Sequence, residues 1–171
     1  MWNRALSAEW YAVHIKSNHE RVVRDILERM ELTVFLPEKL TLSRRRDRRK
    51  TILAPLFPGY LFVEPGARIG WAREVVTTRS VVRILGQGGH PMPMFKNEVE
   101  SLRILLESGE NFKEISYLGP GDAVRIDDGP LTGAEGKVIR ISRKEHLVVS
   151  VALLQRSVAV ELSEKQVVKI S

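Results

Sequence analysis

The hydrophobic pattern of this chain changes its period near residue 118, and this change limits the folds that it can adopt. Up to residue 107, strand-like alternation is interrupted by stretches whose apolar residues recur at helical spacing. From residue 118 onward only strand-like stretches follow, separated by turns. The pattern predicts a mixed domain over 1–107, a polar linker over 108–117 and an all-β domain over 118–171.

The first region reads as strands and helices in alternation. Trp10–Lys16 alternates and is rich in β-formers, so it predicts a strand. The apolar residues between Val22 and Met30 recur over about three turns and predict an amphipathic helix over 19–30. This order favours a small sandwich in which helices cover one face of a sheet. Further strands are predicted at Val34–Leu36, Tyr60–Glu64 and Val81–Leu85, a turn at Gly86–Gly89, and further helices at 68–76 and about 96–107.

The excess positive charge is concentrated between two short apolar stretches, Leu40–Leu42 and Thr51–Leu53, which we interpret as the arms of a hairpin. Residues 44–50 carry six basic side chains and one acidic side chain, a net charge of +5 against +6 for the whole chain. Guanidinium groups donate paired hydrogen bonds to phosphate oxygens. We therefore favour the interpretation that this tip binds nucleic acid over the alternative that it is only a solvated surface. The candidate residues are Arg44, Arg45, Arg46, Arg48, Arg49 and Lys50.

The last third of the chain predicts a small barrel. Apolar residues alternate at Val124–Ile126, Ile139–Ile141, Leu147–Leu153 and Val158–Leu162, and glycines punctuate the first turn. About five short strands in 54 residues are typical of such barrels. A second candidate nucleic-acid surface lies here, although acidic neighbours nearly cancel its charge and a solvated strand face is an equal alternative. Its residues are Lys137, Arg140, Arg143, Lys144 and Arg156.

Composition and motifs narrow the classes of function. The chain has no cysteine, which excludes disulfides, thiolate metal sites and cysteine nucleophiles. Its four histidines lack metal-ligand spacing, and Asp127–Asp128 precede Gly129–Pro130 as turn formers. The start lacks the apolar core of a signal peptide, and no stretch is long enough to span a bilayer. We therefore expect a cytoplasmic protein without a cofactor or metal that acts by binding and not as an enzyme.

Two motifs carry a resemblance to a known family. Trp10–His14, the helix that follows and Leu56–Val63 resemble the amino-terminal domain of the NusG family of transcription elongation factors. Pro120–Val138 resembles the KOW motif of that family. The resemblance covers residues 10–170 and implies an α+β protein, with a ferredoxin-like NGN domain followed by an SH3-like β-barrel KOW domain.

The resemblance also implies a partner, the clamp of RNA polymerase. The resemblance assigns five residues to the family's apolar clamp-binding surface, namely Tyr11, Phe57, Pro58, Tyr60 and Leu85. It puts Trp71, Ala72 and Arg73 near the loop that reaches the opposite side of the polymerase cleft. Phe57 and Tyr60 are accordingly expected to be exposed, whereas Leu61 and Val63 are expected in the core.

One departure from the family pattern affects the expected function. Housekeeping members carry an aromatic-containing loop that helps to bind Rho or a ribosomal protein, but Leu131–Gly136 contains no aromatic residue. The compact first domain and the basic hairpin resemble the operon-specific antiterminators of the RfaH and LoaP type. We therefore expect a monomeric antiterminator that selects its operon through leader RNA or exposed DNA. The alternatives are a general factor that couples polymerase to Rho or the ribosome, and a ribosome-associated RNA-binding protein.

Overall fold

The structure is a computed structural model that describes residues 9–43, 50–116, 123–141, 144–162 and 167–170. The chain divides into two compact units, Met1–Pro93 and Met94–Ser171. None of the helices in these described ranges is both long and apolar enough to cross a membrane.

The first unit is built on a four-stranded sheet. Its strand order is β2-β5-β1-β6, every neighbouring pair is antiparallel, and two small hairpins, β3–β4 and β7–β8, are added. The predicted strands and helices are all present, with shifts of a few residues at their ends. The elements are β1 (Tyr11–Ile15), α1 (Glu20–Arg29), β2 (Thr33–Phe35), β3 (Glu38–Leu42), β4 (Thr51–Pro55), β5 (Tyr60–Glu64), α2 (Trp71–Thr77), β6 (Val81–Ile84), β7 (Gly86–Gln87) and β8 (His90–Pro91).

Both helices of this unit pack on one face of the sheet, as the pattern predicts. Val13 of β1 lies opposite Leu61 of β5, and the neighbours two residues along point to the same face. Val23 and Leu27 of α1 and Val75 of α2 cover this face, and all of these side chains are fully buried. Burying each such side chain contributes roughly 1.5–3 kcal/mol to folding. The predicted core positions Leu61 and Val63 are confirmed.

Phe57 corrects an expectation about the partner surface. Its side chain is completely buried, so the expected exposure of Phe57 is wrong. The ring packs against Phe62, with centroids 6.3 Å apart, on the sheet face away from the helices. Phe62 in turn lies 6.0 Å from Phe35. Phe57 belongs to an aromatic core because the turn before β5 directs its ring inward.

The predicted hairpin that carries the basic run has its two arms in β3 and β4. Leu40 pairs with Leu53 and Leu42 with Thr51, and the amide of Ser43 donates to the carbonyl of Lys50 over 2.8 Å. The remaining residues of the basic run, Arg44, Arg45, Arg46, Asp47, Arg48 and Arg49, lie outside the described residues.

In its described residues the second unit contains one α-helix and a six-stranded antiparallel sheet of order β14-β10-β11-β12-β13-β9. The helix forms where the second amphipathic pattern predicts it, and β10 to β13 contain the predicted alternating pairs. The elements are α3 (Lys96–Glu107), β9 (Phe112–Ser116), β10 (Ala123–Ile126), β11 (Glu135–Ile141), β12 (Lys144–Val151), β13 (Arg156–Glu161) and β14 (Val167–Ile170).

Two features of this unit differ from the sequence interpretation. The segment 108–117, predicted to be a linker, contains strand β9, which pairs with β13. An edge strand has a single partner and tolerates polar side chains, which is why its sequence lacks a clear apolar period. In addition, the division between the units falls before α3, whereas the sequence pattern assigns this helix to the first domain.

The sheet of the second unit is buried on both faces around β12 and β13. Leu147 and Val149 lie opposite Val160 and Val158 on one face, and Val148 lies opposite Ala159 on the other. All six side chains are at most 1% exposed. The strand predicted from the alternation at Leu147–Leu153 is thus confirmed as far as Val151, whereas Leu153 lies in a short 3-10 turn that follows β12.

Helix α3 is held to this sheet by polar contacts. The amide of Ala152 donates to Oε1 of Glu98 over 2.9 Å, and the amide of Glu135 donates to Oγ of Ser101 over 2.8 Å. Glu98 is buried, and its Oε2 has no hydrogen-bond partner within the described part of the chain. Burial raises the pKa of Glu98, although the amides of Ala152 and Phe95 oppose this shift.

We expect Glu98→Gln to raise the free energy of unfolding by about 1 kcal/mol at pH 7.5, because a neutral amide is less costly to bury than a carboxylate. Because folding raises the pKa of Glu98, its contribution to stability is full below the unfolded pKa of 4.5 and is lost as the pH rises through the folded value. Urea denaturation from pH 4 to pH 8 should therefore show a difference that grows with pH. If the difference in unfolding free energy between the two proteins stayed constant from pH 4 to pH 8, the raised pKa of Glu98 would be contradicted.

Candidate functional site

The turn from Phe57 to Tyr60 is fixed by a buried carboxylate on α1. Oε1 of Glu20 accepts a hydrogen bond of 2.7 Å from the amide of Gly59. Gly59 has a positive φ of 84°, and a Cβ there would lie 3.2 Å from the carbonyl oxygen of Ile15. The turn therefore needs glycine at this position, and Glu20 holds it against the end of β1.

This turn presents an aromatic pair on the sheet face away from the helices. His14 lies directly opposite Tyr60 in the β1–β5 register, and their rings stack with centroids 5.1 Å apart and planes inclined by 20°. Both side chains are half-buried, and Pro58 beside them is exposed. We call His14, Pro58 and Tyr60 the histidine–tyrosine face. The sequence alone does not assign His14 to this face, since only the strand pairing shows that it lies beside Tyr60.

Tyr11 lies on the opposite face of the sheet. It is three residues before His14, so its side chain projects to the side that the helices cover. Its ring lies 4.6 Å from that of Trp71 at the start of α2, and its hydroxyl donates to Oε2 of Glu9 over 2.8 Å. Burial, followed by the bond to Glu9, raises the pKa of Tyr11 to about 12. Ile69, two residues before Trp71 in the sequence, is 97% exposed, and no pattern in the sequence singles it out.

The residues predicted to bind polymerase thus fall into separate groups. Pro58 and Tyr60 lie on the histidine–tyrosine face, Tyr11 and Trp71 form a pair on the helix side, and Phe57 and Leu85 are buried. The amide of Leu85 donates a hydrogen bond of 2.8 Å to the carbonyl of Ala12, which extends the pairing of β6 with β1 by one residue.

Arg73 lies in a groove of the first unit with a volume of about 410 Å³. Helix α2, strand β6 and the β7–β8 hairpin form its walls, and Arg83 and His90 also line it. Neither Arg73 nor Arg83 forms an ion pair with another residue in the part of the chain that the structure describes. The groove combines these cations with the apolar side chains of Val76 and Ile84.

The predicted cations of the second unit do not form one cluster in the described ranges. Lys144 forms an ion pair of 2.5 Å with Glu161, which reduces the charge that it can offer to a phosphate. Arg156 is exposed at the other end of β13, roughly 16 Å from Glu161 along the strand at about 3.3 Å per residue. Lys137 is half-buried on β11. The side chain of Arg140 and all of Arg143 lie outside the described residues.

The comparison with protein families decides where the chain belongs. A family model described as transcription termination factor NusG matches residues 8–103, which is more than half of the chain. The chain belongs to the NusG family. NusG-family proteins are transcription factors and not enzymes. Among the described residues, no group of three or more histidine, aspartate and glutamate side chains is placed to hold a metal ion.

Relatives match along the whole chain. It is 31% identical over 185 residues to the transcription termination/antitermination protein NusG of Thermus thermophilus, covering 96% of this chain and 100% of that protein. It is 29% identical over 177 residues to the protein of the same name from Pseudomonas aeruginosa, again covering 96% and 100%. A solved structure of Thermotoga maritima NusG is 25% identical with a TM-score of 0.53, covering 95% of this chain and 97% of that one. These relatives bear the general NusG name and give no support to the RfaH or LoaP type.

Proposed function

We propose that this protein is a general NusG-type elongation factor that binds transcribing RNA polymerase. The observation that carries the proposal is the full-length match of both units to general NusG proteins. The charge and the surface of the first unit are compatible with this role, since the chain carries a net charge of +6 and the sheet presents the half-buried aromatic pair His14 and Tyr60.

The domain assignment within this proposal follows the topology. The order β6-β1-β5-β2, with α1 and α2 on one face, supports a ferredoxin-like NGN domain. The five strands from β10 to β14 support an SH3-like KOW barrel over 118–171. The boundaries at 107 and 118 are those that the sequence pattern predicts, whereas the compact units divide after Pro93 and β9 pairs with β13.

The histidine–tyrosine face is the proposed docking surface for the polymerase clamp. His14 and Tyr60 offer aromatic area with polar edges, the combination that anchors protein interfaces. Glu20 and Gly59 fix the turn that carries Tyr60, so little conformational entropy is lost on binding. By binding the closed clamp more tightly than the open clamp, the factor would shift polymerase toward the elongating state. Tyr11, Ile69, Trp71 and Arg73 form a separate proposed contact.

Binding to purified bacterial core RNA polymerase tests this docking surface. His14→Ala/Tyr60→Ala should weaken binding at least tenfold, which corresponds to about 1.4 kcal/mol. Val82→Ser, which changes an exposed residue of the same sheet, should stay within twofold of the wild type. The wild-type protein should also change pause lifetimes in a purified elongation reaction. Equal affinity of the double variant and the control would contradict the proposed surface, and unchanged pausing would contradict the function.

An operon-specific antiterminator is the second candidate. It rests on the basic run at 44–50 and on the loop Leu131–Gly136, which lacks an aromatic residue. Binding to structured leader RNAs and to random RNA across a salt series separates the two candidates. Selective binding to one leader would favour the specialised factor, whereas sequence-blind binding with a steep salt slope would favour the general one. Retention of Rho or the small ribosomal subunit by the full chain would also favour the general factor.

A further inference from the structure

The β3–β4 hairpin exposes a contiguous apolar face that the proposed polymerase docking does not use. Leu40 and Leu53 are directly opposite in the register, and Leu42 lies two residues from Leu40 on the same face. Their exposed fractions are 72%, 46% and 67%. Opposed side chains are about 5 Å apart and neighbours along a strand about 7 Å, so these three leucines form one patch. We call it the leucine face.

The hairpin is anchored at its base, so this exposure does not come from a loosely placed segment. Arg21 of α1 donates from Nε to Oε1 of Glu38 over 2.7 Å and from Nη2 to the carbonyl of Leu53 over 2.5 Å. One guanidinium therefore ties both strands to the helix. The amide of Leu56 also donates to the carbonyl of Pro37 over 2.7 Å. A fixed apolar patch on an isolated two-stranded hairpin is typical of an interaction surface.

The net charge of the hairpin sequence limits what can cover the leucine face. Residues 38–55 contain seven basic and two acidic side chains, a net charge of +5, and Glu38 is already paired with Arg21. A second copy of the chain would bring two such charges together and is disfavoured. Nucleic acid would contact the cations but leave three leucines in water. An anionic bilayer is disfavoured because 38–55 contains none of the Trp or Tyr residues that interfacial segments use.

We propose that the leucine face binds an acidic amphipathic helix of a protein partner, whose apolar side covers Leu40, Leu42 and Leu53. Acidic flanks suit this site because residues 38–55 carry a net charge of +5. A helix supplies such an apolar stripe from residues spaced three and four apart. This site goes beyond the proposed polymerase docking, because it shares no residue with the histidine–tyrosine face.

A labelled synthetic helix tests the proposal directly. The probe is a 15-residue peptide, about four turns long, with leucines on one face and glutamates on the others. Its control is a scrambled peptide of the same composition that has no apolar face. Fluorescence anisotropy with the full-length protein should give affinity at least tenfold tighter for the helix than for the scramble.

Variants assign the binding to the leucine face. Leu40→Ser/Leu42→Ser/Leu53→Ser changes only exposed side chains and should reduce the helix affinity at least tenfold, to the level of the scramble. Val22→Ser, which changes a residue that is 56% exposed on α1, should leave the affinity within twofold. Circular dichroism verifies that both variants fold.

Four results would overturn the proposal. They are equal binding of helix and scramble, equal binding by the triple variant and the Val22→Ser control, leucine-dependent binding to phosphatidylglycerol vesicles in place of the peptide, and leucine-dependent self-association in sedimentation. The vesicle result would assign the face to a membrane, and the sedimentation result would assign it to a second copy.

Discussion

Replacing Phe57 with alanine is expected to lower the free energy of unfolding of the first unit by about 3–5 kcal/mol, the usual cost of removing a buried phenyl ring. The ring is fully buried and packs on Phe62, which contacts Phe35 in turn. Its removal leaves a cavity that the rigid sheet and the fixed turn at Gly59 cannot close. Tryptophan fluorescence in urea is a suitable measurement, because all three tryptophans of the chain lie within residues 1–93.

Pro58→Ala is the matched control for Phe57→Ala. Pro58 is the next residue in the same turn but is exposed, so its replacement should change stability by no more than about 1 kcal/mol. A Phe57→Ala protein as stable as the Pro58→Ala protein, but with reduced affinity for polymerase, would show that Phe57 is a partner contact after all. The core assignment would then be wrong.

The difference between Phe57 and Tyr60 shows what sequence reasoning can and cannot recover. Periodicity predicts the buried faces of β1, β5 and α1 because alternation and helical spacing directly reflect which side faces the core. Within a Phe-Pro-Gly-Tyr turn there is no such period. The direction of each ring is decided by the positive φ of Gly59 and by the bond from its amide to Glu20, which is 39 residues away. A contact at that separation has no local signal.

Related limits apply to His14 and to strand β9. His14 belongs to the candidate site only because it lies opposite Tyr60 in the β1–β5 register. The sequence of β1 alone does not determine this register. The apolar pattern does not predict strand β9, because an edge strand needs only one hydrogen-bonding partner and little apolar surface. By contrast, the hairpin arms around the basic run could be predicted, since both arms are apolar and of equal length.

Replacing Gly136 with alanine is expected to destabilise the second unit by about 3 kcal/mol or more, because overpacking here meets backbone and not a movable side chain. A Cβ at this position would lie 2.2 Å from the carbonyl oxygen of Val148 and 3.1 Å from Cδ1 of Leu147. Gly136 itself pairs with Val124 of β10. Hydrogen–deuterium exchange of the full chain should show faster exchange over β10, β11 and β12, the strands that meet at Gly136.

The clash cannot be relieved cheaply, since β12 is paired on both sides. Moving the carbonyl of Val148 away from Gly136 displaces a strand whose other edge bonds to β13, where Val148 lies opposite Ala159. Gly109→Ala is the control in the same unit: it also adds one methyl group, but into open space at a positive φ of 73°, and should cost only about 1 kcal/mol. Exchange over β12 that matches this control would mean that β11 and β12 do not approach as closely as the structure shows. The packing of the sheet around Gly136, and the barrel proposed for it, would then have to be revised.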